Sequence, residues 1–168
     1  YSSVAETEFE SRKLADGERI ELGEVVLEIR HTPGHTPESM SIVVWEHSTD
    51  AEPYGVLTGD TLFIGDVGRP DLLSSIGFTR EELADKLYDS LHDKLLTLPD
   101  ATLVFPAHGA GSSCGKNLST ETSSTMGEQR TTNYALLAKD KQAFFEMVTE
   151  GQSPAPGYFV YDAILNRQ

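Results

Sequence analysis

The chain has 168 residues, a formal charge of −14 and a pI near 4.6. That length suits one domain, and a field of that sign repels phosphate backbones and anionic lipid surfaces, so neither nucleic acid nor membrane partners are expected. Apolar residues make up 38%, enough for a packed core, and no apolar run nears the ~20 residues of a membrane span.

Residues 1–16 are polar and acidic. Ile20 and Leu22, then Val25, Leu27 and Ile29, alternate with polar residues about a Gly-Glu turn, and this period of two predicts a β-hairpin. Further strands are expected over 39–46 and through Val56 and Leu57 to Gly59. Leu83, Leu87, Leu91 and Leu95 recur every four residues, Thr79 and Glu82 make a capping-box pair, and Pro99 is a stop, which predicts a helix over 80–97. "ATLVFPAHG" reads as a short buried strand, and 109–124 as a Gly- and Ser-rich loop. Helices are expected over 126–138 and 139–150, and a linker over 151–168, where Pro154, Pro156 and Gly157 fall. This order predicts a mixed α/β domain over 1–150 with an antiparallel part.

Three strand ends collect residue types that bind metals: His35 in "TPGHT", Asp60 in "LTGDTLF" and His108 in "FPAHG". A side chain at such an end is held by a rigid sheet yet faces a cleft. Imidazole with carboxylate suits zinc, iron or manganese. His31, before the turn in "HTPGH", has an undetermined direction and is read as a strand or supporting residue; His47 and His92 lie among charges and are expected at the surface. Cys114, in "GSSCG", is the single cysteine, so no internal disulfide is possible, which fits a reducing, cytoplasmic setting. Lys116 lies beside it, and a nearby cation lowers a thiol's pKa. Lys116 and Arg130 are candidates for binding substrate carboxylates, against a plainer role as surface charges.

In that order, "TPGHT", "LTGDTLF" and "FPAHG" resemble the C-terminal half of the metallo-β-lactamase superfamily, in its glyoxalase II and persulfide dioxygenase branch, from Leu14 to Ala138. "GDTLFIGDVGRPDL" and the loop "PAHGAGSSCGKNLSTETSSTMGEQRTTNYAL" are more similar to persulfide dioxygenases, in particular to bacterial ones fused to rhodanese modules, and the tail resembles the linker into such a module. The resemblance implies an αββα sandwich, of which this chain carries the C-terminal half. It also implies an iron-dependent dioxygenase that oxidises glutathione persulfide, or a similar thiol persulfide, to sulfite with O2. His35 and Asp60 would be two of three protein ligands to Fe(II), and His108 would face the substrate. Arg69, fixed by Asp71, would be the second catalytic candidate, holding the anionic persulfide or orienting the metal shell. Cys114 and Lys116 would join Arg69 as substrate contacts.

The family's H-x-H-x-D-H motif does not occur in the sequence, which opens on Tyr1. An upstream half is therefore expected. Alone, the chain is expected to be inactive, with a sheet that needs the missing half or a second copy in a homo-oligomer. The resemblance leaves a hydrolase of the glyoxalase II type as an alternative, with one or two zinc ions, His108 on the second, and a hydroxyacyl-glutathione thioester as substrate. A non-catalytic half-domain is the other.

Overall fold

A meander of four strands builds the first part of the sheet. β1 (Arg19–Leu22) and β2 (Val25–His31) form the expected hairpin, with Arg19 opposite Glu28 and Leu22 opposite Val25. β3 (Met40–Trp45) and β4 (Gly55–Gly59) extend it, each antiparallel to the strand before. β5 (Leu103–Pro106) pairs parallel with β4, and β6 (Ser124–Thr125) antiparallel with β5, so the six strands lie in chain order. A parallel pair requires a crossover. Here it contains α1 (Arg80–Asp89) and its π-helical continuation (Ser90–Leu95). α2 (Met126–Thr132), α3 (Lys141–Thr149) and α4 (Tyr158–Leu165) follow. The computed structural model describes residues 1–72, 77–152, 154 and 156–165. The tail read as a linker thus contains α4, while residues 153, 155 and 166–168 of it lie outside the described residues. Among the described residues no helix is long and apolar enough to cross a membrane.

Register sorts the strand side chains onto two faces. Val43, Val56 and Val104 stand opposite one another, all at 0% exposure, and pack with Leu87, Leu91, Leu95, Met126 and Phe144. On the other face Ile42, Leu57 and Phe105 form a second row, and there Leu57 is 44% exposed. Tyr54, stacked on Phe105 at 6.4 Å, is 47% exposed. The helices cover the first face; the second stays partly open.

The leucine spacing explains why α1 changes character. In an α-helix each four-residue step overshoots a full turn by about 40°. Wider π turns correct that drift, so Leu83, Leu87, Leu91 and Leu95 are all fully buried. At the start of α1, Thr79 Oγ1 accepts from the Glu82 N–H at 3.1 Å and the Glu82 carboxylate accepts from the Thr79 N–H at 2.8 Å. This capping box contributes about 1 kcal/mol. α2 stops at Asn133, short of the expected 138, because the Asn133 amide is drawn inward, donating to Asp66 O at 2.9 Å and Phe63 O at 3.3 Å.

His92 departs from its expected surface position. Its ring stacks on Tyr88 at 4.0 Å, and its Nε2 is buried with no hydrogen-bond partner among the described residues. Burial holds its pKa below the ordinary histidine value, against the opposing charges of Asp93 and Asp89. A histidine with a depressed folded-state pKa stabilises the fold above its unfolded pKa and loses that contribution as pH falls through the folded one. Stability is expected to decline from pH ~6.5 downward, with a shallower decline in His92→Phe. Urea unfolding across that range checks this, and an unchanged slope in the variant would assign the loss to other groups.

Candidate metal centre

His35 is placed by a turn locked from two sides. Thr32, just past β2, is buried and joined through its hydroxyl to Ser41 and Thr61, each at 3.0 Å. Pro33 O accepts from Ser90 Oγ at 2.7 Å. Gly34 has φ 147°, and a Cβ there would lie 2.4 Å from Leu87 Cβ, so only glycine lets the turn press onto α1. The His35 side chain that follows is 6% exposed. Its Nδ1 donates to Arg69 O at 3.0 Å. A carbonyl can only accept, so the proton sits on Nδ1 and the Nε2 lone pair is available to a metal. Burial pushes its pKa down, aided by the His108 and Arg69 charges and opposed by the Asp60 carboxylate and the hydrogen bond to Arg69 O.

Asp60 follows Gly59, whose φ of 54° turns the chain out of β4. One carboxylate oxygen, Oδ2, lies 3.8 Å from His35 Nε2, and Oδ1 accepts from His108 Nδ1. His108 arrives on the parallel neighbour: the Ala107 N–H donates to Gly59 O at 3.0 Å, carrying the β4–β5 pairing one step past the strand. Its side chain is 43% exposed and edge-on to Phe63. The three strand-end residues therefore do converge.

Cys114 joins them. His35, Asp60 and Cys114 offer ligand atoms that all lie within 4.8 Å of one another. Burial pushes the Cys114 thiol's pKa up, as does the Asp60 charge, with Ser112 and the Arg69 charge opposing. The expectation that Lys116 would lower it does not hold, because the Lys116 ammonium donates to Met147 O and Glu150 O at the end of α3 and lies 5.0 Å from the Tyr134 ring centroid. Lys116 is thereby committed to a helix terminus.

Arg69 is 1% exposed. Its Nε and Nη2 donate to the two Asp71 oxygens at 2.7 and 2.8 Å, the bidentate pair expected of them, and Nη1 donates to Ser113 O at 3.2 Å. Burial works against the Asp71 carboxylate, but the guanidinium's hydrogen bonds and charge hold its pKa below the usual range. Arg69 thus ties together three pieces: its carbonyl orients His35, its N–H donates to Cys114 O at 3.0 Å, and its side chain holds Ser113.

Asp66 is a residue the sequence reading passed over. Fully buried, it accepts from the Lys116 and Asn117 N–H groups, each at 2.7 Å, and from the Val67 N–H and the Tyr134 hydroxyl, each at 2.8 Å. Burial, and then the Asp66 charge and hydrogen bond, push the Tyr134 pKa strongly up, so the phenol stays a donor. The carboxylate thereby anchors the loop that carries Cys114. The remaining candidates are structural. His31 Nε2 lies 2.9 Å from Leu14 O, and exposed His47 pairs with Asp50 at 3.4 Å. Arg130 donates to Leu96 O at 2.7 Å and to Leu98 O, and pairs with Asp100, so its guanidinium closes the end of the π-helical segment.

Imidazole, carboxylate and thiol form a donor set that fits a borderline divalent cation. No family model matches the chain. It is 33% identical over 143 residues to the mitochondrial persulfide dioxygenase ETHE1 of Bos taurus, covering 85% of this chain and 48% of that protein. It is 46% identical over 94 residues to the probable metallo-hydrolase YqgX of Bacillus subtilis (strain 168), covering 56% of this chain and 38% of that protein. Among solved structures, a metallo-β-lactamase from Staphylococcus aureus subsp. aureus COL superposes with a TM-score of 0.86 at 31% identity, over 99% of this chain and 48% of that one. The chain thus spans about half the length of these three proteins, or less. On sequence and on fold alike, it belongs to the metallo-β-lactamase superfamily, in company with the persulfide dioxygenases.

Proposed function

We propose that the complete protein is an iron-dependent dioxygenase that converts a thiol persulfide, such as glutathione persulfide, with O2 and water into thiol and sulfite. The observation that carries this reading is His35, neutral, buried and held through Nδ1 so that Nε2 faces the Asp60 carboxylate, in a chain related to a persulfide dioxygenase. His35 and Asp60 would hold the iron, with a further ligand from outside the chain. Iron, when bound, supplies the redox chemistry that joins oxygen to sulfur. Arg69 acts from behind, holding His35 and the Cys114 loop in place. Half-exposed His108 fixes the Asp60 carboxylate through Nδ1, leaving Nε2 as the group that meets the substrate. Cys114 lies beside them, its ligand atom within 4.8 Å of those of His35 and Asp60. Lys116, bound to the end of α3, is given no role in this reading.

A glyoxalase II-type hydrolase is the second reading, favoured by the His108–Asp60 contact, since these two residues would then hold zinc, which would supply an activated water, and by the metallo-hydrolase relative. One experiment separates them. Protein from the complete reading frame, loaded with Fe(II) without oxygen, should consume one O2 per glutathione persulfide and release sulfite. Cleavage of a hydroxyacyl-glutathione thioester by the zinc-loaded protein, with no O2 uptake by the iron-loaded one, would select the hydrolase.

A further inference from the structure

The geometry points to Cys114 as a metal donor in its own right: with His35 Nε2 and the Asp60 carboxylate, its sulfur completes a three-donor site within this chain for a borderline, sulfur-accepting divalent cation such as Zn(II) or Co(II). This does not depend on whether the complete protein is an oxygenase or a hydrolase.

Two independent observations meet here. The first is the imidazole. His35 is 6% exposed, and its Nε2 has no hydrogen-bond partner among the described residues, with Asp60 Oδ2 3.8 Å away. A ring nitrogen that carries a lone pair on a largely buried side chain, with no donor opposite it, is in the state a metal needs. The second is the placement of the thiol. Its ligand atom lies within 4.8 Å of those of both His35 and Asp60, and its loop is pinned to keep it there. Cys114 O accepts from the Arg69 N–H at 3.0 Å, and Asp66 Oδ2 takes the Lys116 and Asn117 N–H groups at 2.7 Å. Between them, a Cβ on Gly115 would lie 2.4 Å from Leu118 Cδ1 and 2.9 Å from Asp66 Oδ2, so the backbone next to the thiol is pressed against its anchor.

The donor types select the ion. Nitrogen, oxygen and sulfur together favour zinc and cobalt over magnesium or calcium, which take oxygen. On binding, the thiol proton leaves to solvent and the sulfur binds as thiolate. His108 is not needed for this set, since it contacts Asp60 through the other carboxylate oxygen.

The test titrates the metal-free full-length protein with Co(II) alone and reads its absorption spectrum. A saturating near-ultraviolet sulfur-to-cobalt charge-transfer band is expected, lost in Cys114→Ala and in Cys114→Ser, with Zn(II) affinity lower by at least tenfold in both. No saturable cobalt binding, or a spectrum that is the same in the variants and the parent, overturns the assignment. Should the variants fold poorly, alkylation of Cys114 in the unmutated protein, followed by mass spectrometry, is an independent readout. Saturating Co(II) should slow it at least tenfold, and an unchanged rate overturns the assignment. Neither readout involves O2 uptake or thioester cleavage, so failure here and failure of the proposed activity are separately visible.

Discussion

Gly68→Ala is expected to destabilise the fold by about 3 kcal/mol and to abolish metal binding with it. A Cβ at this position would lie 1.8 Å from the Asp60 carbonyl oxygen and 3.1 Å from His35 Cβ. The first contact is main chain against Cβ, so no side-chain rotation relieves it. Either Asp60 yields, and the carboxylate leaves His35 and His108, or the Gly68 segment withdraws and takes Arg69 O away from His35 Nδ1. Both outcomes dismantle the donor set. Denaturant midpoints and metal stoichiometry, measured on the same preparation, check the prediction. Parent-like stability with full metal content would mean that this close approach is dispensable.

His35→Ala is expected to affect the metal far more than the fold. Removing a supporting partner of a ligand typically costs 10–100-fold in affinity, and removing the ligand itself should exceed about 100-fold. His31→Ala, four residues earlier and engaged with Leu14 O, should shift affinity by less than about threefold. Competition against a chelating dye measures both. If the two variants bind metal alike, the turn does not aim His35 at an ion.

Much of this was legible in the sequence. Alternation set the β1–β2 hairpin, the leucine spacing and Thr79–Glu82 pair set α1, and three strand-end motifs marked His35, Asp60 and His108. Most of what escaped depends on partners distant in sequence. β6 is two residues long and exists by pairing with β5. Asp66 carries no periodic signal, yet four hydrogen bonds converge on it. Charge patterning placed His92 at the surface, whereas it stacks on Tyr88, and it gave no sign that Lys116 and Arg130 close the ends of helical segments. A cation beside Cys114 in sequence proved remote in effect, and burial decided the thiol's state.

The parallel β4–β5 pair has a consequence for the order of assembly. β1 to β4 join strands adjacent in sequence, so their contacts close early. His35 and Asp60 both leave that meander, but His108 and Cys114 reach them only after the crossover through α1 has closed. A metal ion is therefore offered two donors at first and its fuller set last. Such an ion would favour the docked crossover over the meander alone. Bound metal should then slow unfolding and leave the folding rate nearly untouched, as for any interaction made after the transition state.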